Sequence, residues 1–314
     1  MSTGINDVVF ELRRELEKQF NQRLLDNQPR LKKLIRDPGL LIKWLKIHAK
    51  YIFTDYGREV HSYRRIAAPK MNAANEFIPT DKKFPGTKIA VYKVITGGYD
   101  NLKDPVYIDD EIDYYAFTDS ESMQPGKAWK IISVPERLSG LSNTKKNRYM
   151  KIHHDETLEL TGKKYDYCVY IDGSLRITCD IKPLVYSLIE SGKNIAIHHH
   201  RIRDCIYSER NDILMLNKAK AKDIDRQLDF YRKEGMPEHF GLLENTVIIR
   251  KCNDSKLNDI MHQWWLQVER FTHRDQLSLP YVLWKNGLTC SYIFSLGTNV
   301  WRNPYFLYHP HNSR

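Results

Sequence analysis

The chain has 314 residues, of which 41% are hydrophobic and 28% charged, with a formal net charge of +10. That composition can bury a substantial core, which excludes a disordered chain, and no run of about 18 uninterrupted apolar residues occurs, so no transmembrane helix is predicted. The basic balance suits a phosphorylated small molecule, an anionic membrane surface or nucleic acid. With no zinc-finger, KH or RNP signature, no nucleic acid is expected as a partner.

Residues 5–36 show helical spacing of Val9, Leu12, Leu16, Phe20 and Leu24, with charge between them. No leader of charged-then-apolar type stands at the amino terminus, so the expected location is the cytosol. Asp37 and Pro38 open a second helix. Leu41, Leu45, Ala49 and Ile52 share one face of it, and Lys43, Lys46 and Lys50 another. Such a helix fits peripheral contact with the inner face of an anionic membrane. It fits equally a helix packed on its own domain with solvated lysines. Residues 55–87 carry Pro69, Pro79, Pro85 and Gly86 and read as a linker. The division is then a helical segment 1–54, a linker 55–87 and a main domain 88–314.

The main domain opens with the strand KIAVYKVI, which runs into Thr96-Gly97-Gly98-Tyr99-Asp100. A glycine loop after a strand can present backbone N–H groups to phosphate, or be an ordinary turn. A strand over 112–119 ends on Asp119, and another covers 129–134. A helix over 142–160 carries Lys145, Lys146, Arg148, Lys151, His153 and His154. Arg148 and Lys151 share a face that could hold a diphosphate. The strand Cys168-Val169-Tyr170-Ile171 stops at Asp172-Gly173-Ser174, delivering a carboxylate where open α/β sheets bind ligands. A helix follows to about 190, then a strand over 194–199 that leads into His198-His199-His200-Arg201-Ile202-Arg203. Neighbouring strand residues face opposite ways, so a polar rim is expected there rather than a zinc cluster.

Helices are expected over 204–217 and 219–234, a strand over 247–250 after Glu244, and a helix over 254–271 with Trp264 and Trp265 on the sheet. Arg274-Asp275-Gln276 opens a helix to 285. A strand over 290–294 precedes a tail with His309-Pro310-His311. The five cysteines are scattered without a CxxC pair and are expected to be reduced thiols. The alternation of strands and helices from residue 88 predicts a mainly parallel α/β sheet flanked by helices.

The stretches KIAVYKVITGGYD, YYAFTD, RYMKIHH, YIDGSLRI, HHHRIRDCIYSE, GLLENTVIIR and HRDQLSLPYVLWK, in that order, resemble a GT-A-fold nucleotide-sugar glycosyltransferase. More narrowly they resemble the glycosyltransferase-like family of plant mucilage and bacterial polysaccharide proteins. The resemblance implies a GT-A-like sheet and a hexosyltransferase-like activity in surface polysaccharide synthesis. It implies a nucleotide-sugar donor, a glycan acceptor and often Mn²⁺ or Mg²⁺. The implied donor-binding set is Thr96, Gly97, Gly98, Tyr99, Asp119, Arg148, Lys151, Asp172, Gly173, Ser174, His200, Arg203 and Gln276.

The implied metal ligands are Asp172 with His309 or His311. GT-A enzymes usually carry Asp-x-Asp, and here Ser174 stands where the second carboxylate would be, which puts the metal in question. For a carboxylate that takes the acceptor's proton, Asp275 is the first candidate and Glu244 the second. The alternative expectation is a non-catalytic nucleotide- or glycan-binding module of the same fold.

Overall fold

The computed structural model describes residues 75, 77–201, 203–215 and 218–309. The expected helical segment 1–54, the linker up to residue 74, and His311 lie outside the described residues. The chain divides into two compact units, and the described residues belong to the second, Asn75–Arg314.

Seven strands form one sheet: β1 (Ile89–Ile95), β2 (Ile112–Thr118), β3 (Trp129–Ser133), β4 (Tyr167–Ile171), β6 (Ile195–His199), β7 (Leu243–Lys251) and β8 (Phe294–Ser295). Their order is β3-β2-β1-β4-β7-β6-β8. β1 to β4 run parallel to one another, β6 is parallel to β8, and β7 is antiparallel to both β4 and β6. The expected mainly parallel sheet flanked by helices is present. One consequence of the reversed β7 is that its amino end shares an edge with the carboxyl ends of β1, β2, β4 and β6. A separate pair joins β5 (Leu175–Ile177) to β9 (Phe306–Tyr308).

Every residue of β1 is buried, as its unbroken apolar run requires of a central parallel strand. The two faces alternate along each strand. Tyr92, Phe117, Tyr170 and Ile248 pack beneath α1 (Asn143–Ile152), α6 (Ser255–Arg270) and α7 (Asp275–Lys285), with Met150, Trp264 and Leu277 opposite them. Val91, Tyr114, Val169 and Ile249 face the other way, onto Leu184 and Leu188 of α3 (Lys182–Glu190). Two further helices, α4 (Ile206–Met215) and α5 (Ala221–Lys233), add Ile213, Leu228 and Tyr231 to the first face.

The helix expected over 142–160 is two helices, α1 and α2 (His154–Glu159), broken at His153 (φ −85°, ψ 69°). Arg250 on β7 explains the break. Its guanidinium lies fully buried and donates to Lys151 O (2.8 Å), Ile152 O (3.1 Å) and the Tyr92 hydroxyl (2.6 Å). Carbonyls taken by a side chain of the sheet cannot continue the helical ladder. The strand expected over 290–294 is also corrected: Cys290–Tyr292 form a 3₁₀ turn, and only Phe294 and Ser295 pair, with β6. Residues 77–87 have no regular structure but lie along the body. Thr80 N–H donates to Ser187 Oγ (2.8 Å), and Phe77 meets Phe294 edge to face.

Arg250→Ala is expected to cost about 3–5 kcal/mol, because it opens a cavity and removes a buried donor from the Lys151 and Ile152 carbonyls and the Tyr92 hydroxyl. Urea unfolding checks this, and a fall of under about 1 kcal/mol would refute the role given to Arg250.

Candidate active site

The shared edge collects the polar residues. After β1, Thr96 Oγ1 donates to Asn143 O at the start of α1 (2.7 Å). Gly97 has φ +64°, and a Cβ there would lie 2.2 Å from Asn143 Nδ2. Only glycine therefore passes the chain this close to α1. Its N–H goes to Asp119 Oδ1 (2.8 Å), so an amide expected to meet phosphate is held by a carboxylate. The other oxygen of Asp119 faces Lys146 Nζ (3.4 Å). Asp119 and Lys146 line a cleft of about 410 Å³ at the ends of β2 and β3, with Ser120, Met123, Ser133 and Pro135. Gly98 and Tyr99 are exposed at the loop tip.

Asp172 stands at the end of β4, as expected. Its Oδ1 accepts from the Tyr170 hydroxyl (2.7 Å) and lies 3.7 Å from Lys151 Nζ. Lys151 makes its close ion pair with Asp275 Oδ2 (2.7 Å), and Arg148 Nε lies 3.5 Å from Asp275 Oδ1. Lys151 and Asp275 are only 2% and 4% exposed. Burial pushes the Asp275 carboxyl up, but the charges of Arg148 and Lys151 outweigh it and hold the group well below the usual carboxylate range. A carboxylate so reluctant to take a proton is a poor general base. Gln276, next to it, accepts from Arg274 at 3.5 Å.

Gly173 is crossed by the Asp100 carboxylate: a Cβ at Gly173 would lie 2.3 Å from Asp100 Oδ2. Beneath this turn Lys93 Nζ donates to Gly173 O (3.3 Å) and to Leu175 O. Burial pushes Lys93 down to about 8, opposed by Asp100 and Asp172.

On the far side of Asp172, β7 carries a bulge. Ile197 pairs with Ile248, but His198 already pairs with Glu244, leaving three residues of β7 to loop out. Bulges re-aim side chains at functional edges. This one brings the Thr246 backbone beside Asp172, whose N–H donates to Thr246 O (2.9 Å). Asn245 is 4% exposed, and neither its amide oxygen nor its nitrogen finds a hydrogen-bond partner among the described residues. Thr246 Oγ1 and Glu244 Oε2 are buried and unpartnered in the same sense. The Glu244 Oε1 accepts from Trp301 Nε1 (3.1 Å), and Arg201 lies over the Trp301 ring at 5.7 Å. Burial raises the Glu244 carboxyl to about 7, against the opposing charge of Arg201.

Two expected donor contacts are turned to structural use. His200 Nδ1 accepts from Arg203 N–H (3.1 Å), and burial with the nearby Arg203 and Arg201 pushes it down to about 3, so it stays neutral. The Arg203 guanidinium is paired with Glu209 (3.0 Å) and Asp212 of α4. His198 is buried, with Nε2 at 2.9 Å from Asn303 Nδ2, and does not join His200 at one ligand.

His309 does reach the Asp172 turn: its N–H donates to Ser174 O (2.8 Å) from the end of β9. Among the described residues the side chains do not match a divalent ion. Among the described residues no three His, Cys, Asp or Glu side chains converge as ligands. Ser174 replaces the second carboxylate, and an ammonium already stands beside Asp172.

The family described as TOD1/MUCI70, glycosyltransferase-like domain, matches residues 60–303. A curated relative, the "Probable hexosyltransferase MUCI70" of Arabidopsis thaliana, is 24% identical over 223 residues, covering 62% of this chain. The match spans 37% of that relative's length. Mouse xyloside xylosyltransferase 1, in its apo form, overlays at 10% identity with a TM-score of 0.38, covering 66% of this chain and 83% of its own. The galactosyltransferase LgtC, solved with donor and acceptor sugar analogues, overlays at 14% identity with a TM-score of 0.37, covering 62% and 69%.

Sequence reasoning missed Asn245, Thr246, Arg201, Arg274 and Lys93. For Asn245 and Thr246 a signal existed: two polar residues directly ahead of an apolar strand. Lys93 was visible too, as the single charge inside the strand IAVYKVI. A test of the Glu244 environment follows from its raised proton affinity. Such a carboxyl favours the folded state below its unfolded value, near 4.3, and loses that contribution as pH rises to about 7. Glu244→Gln removes the cost of ionisation. It should exceed the parent in stability at about pH 8 by up to about 3 kcal/mol, with the gap closing below about pH 4. Denaturant unfolding across pH checks this; a parent that is the more stable at about pH 8 would contradict the burial described.

Proposed function

The chain belongs to the TOD1/MUCI70 glycosyltransferase-like family, and from that premise we propose that it moves a hexose from a nucleotide-sugar donor to a hydroxyl of a glycan acceptor. One observation carries the reading: the β7 bulge, which meets Asp172 through the Thr246 carbonyl, also carries a buried carboxyl raised to about 7 and an unpartnered amide.

The division of labour follows from charge. Glu244 is the base: a proton affinity near neutrality lets it both hold and release the acceptor's proton. The acceptor oxygen forms the new bond to the anomeric carbon. The bond from that carbon to the diphosphate breaks, and its electron pair leaves with the phosphate oxygen. Lys151, Arg148 and Arg274 face the charge that develops there. Asp275 is a positioning residue that aims Lys151 and Arg148. Asn245 and Thr246 offer the donors and acceptors that sugar hydroxyls need. The cleft beyond Asp119 is of a size for a nucleoside.

The same proposal takes in a surface polysaccharide as acceptor and a cytosolic site of action, with the lysines of residues 37–53 as the membrane contact. Among the described residues no helix is long and apolar enough to cross a membrane. Ser174 in place of a second carboxylate favours one other reading, a nucleotide-binding module without turnover.

Glu244→Gln is expected to lower sugar transfer about 10²–10⁴-fold while donor affinity holds. The parent rate should rise with pH through about 7, as the base ionises, and the variant should lack that limb. Transfer assays with a panel of nucleotide sugars over pH decide it. An unchanged rate and profile in Glu244→Gln would remove Glu244 as base. Nucleotide binding without turnover in the parent would favour the module.

A further inference from the structure

We propose that the leaving diphosphate is neutralised by buried lysine and arginine side chains, without a divalent metal. The inference rests on the glycosyltransferase reading and deepens it.

Asp172 lies within electrostatic range of four cations: Lys151, Lys93, Arg148 and Arg274. Asp275 answers Lys151 and Arg148, Asp100 lies above Gly173, and Glu209 acts on Arg274. With the Lys151 ammonium already 3.7 Å from Asp172, a divalent cation there would meet like charge in a buried place, where repulsion is strongest. A diphosphate would meet attraction from the same groups.

The geometry agrees. Lys151 cannot swing away, because its ammonium is fixed by Asp275 at 2.7 Å and stands over the Tyr170 ring at 5.0 Å. Asp172 Oδ1 is already engaged by Tyr170 and faced by Lys151. Arg274 supplies an opening for the anion. Its Nε is buried with no hydrogen-bond partner among the described residues, its hydrogen bond to Gln276 is long at 3.5 Å, and Asp275 and Glu209 act on it through charge. A guanidinium left so short of acceptors suits two phosphate oxygens. Ser174 completes the pattern: where a metal site would spend a second carboxylate, this chain has a neutral hydroxyl.

Calorimetric titration of the full chain with UDP, GDP, ADP and inorganic pyrophosphate, each in EDTA and in MnCl₂, tests the proposal. At least one nucleoside diphosphate should bind with the same Kd in both, within about twofold. Electron paramagnetic resonance of Mn²⁺ should show no ion taken up beyond what the free nucleotide holds. Arg274→Gln should weaken binding in EDTA at least about tenfold, as the loss of a charge-assisted contact implies.

Lys151→Met strands Asp275 and is expected to unfold, so the double variant Lys151→Met/Asp275→Asn keeps the charge balanced. It should lose binding while retaining the parent's circular dichroism. Binding that requires Mn²⁺, or variants that bind as the parent does, would overturn the metal-free site and leave the glycosyltransferase reading standing. No binding of any nucleotide in either buffer would overturn both.

Discussion

The buried pair between Lys151 and Asp275 holds the site together. Each charge costs several kcal/mol to bring out of water, and only close geometry with further partners offsets that. Both conditions are met here. The ammonium sits 2.7 Å from one carboxylate oxygen, and Arg148 approaches the other. The pair joins the end of α1 to the start of α7, two helices on the same face of the sheet. Lys151 is fastened twice, since its main-chain carbonyl is gripped by Arg250 and Tyr92 while its side chain faces the edge. Breaking the helix at His153 is thus part of aiming Lys151.

Two chemistries sit side by side along this edge, and burial drives both. On the α1–α7 side, buried carboxylate meets cations, and its proton affinity falls. On the β7 side, buried carboxyl meets an indole N–H and one more distant guanidinium, and its proton affinity rises. Asp172 lies between them, bonded to Tyr170 on one flank and to the backbone of the bulge on the other. A site that must stabilise a departing anion and accept a proton within a short distance needs this separation.

Much of the fold was legible because its strands are nearly pure runs. IAVYKVI and CVYI sit in the middle of a sheet covered on both faces, so apolar continuity alone located them, and Asp119 and Asp172 came out at strand ends for the same reason. The failures have one common form: a distant partner overrides a local pattern. The helix over 142–160 has no internal breaker; Arg250, about a hundred positions on, splits it. Glu244-Asn245-Thr246 looks like a loop, and only pairing on both sides makes it a bulged strand. Asp275 stands among polar neighbours in sequence, while the cations that lower its proton affinity belong to α1, more than 120 positions earlier. Conversely Glu244 gained its proton affinity from burial, against the indole N–H of Trp301 and the charge of Arg201, and that burial is not local.

The contacts around Ser174 also bear on the order in which the molecule can be completed. Asn75 donates to Leu296 O and accepts from Asn299 N–H, contacts between residues 221 and 224 positions apart. β5 waits for β9, and Ser174 waits for His309. A nascent chain that has reached α7 owns Asp172, Lys151 and Asp275, yet its wall on the Trp301 side does not exist. Such long-range closures come late in folding. On the ribosome the cation half of the site is therefore assembled first, and the pocket around Glu244 stays open to water until the final strand arrives.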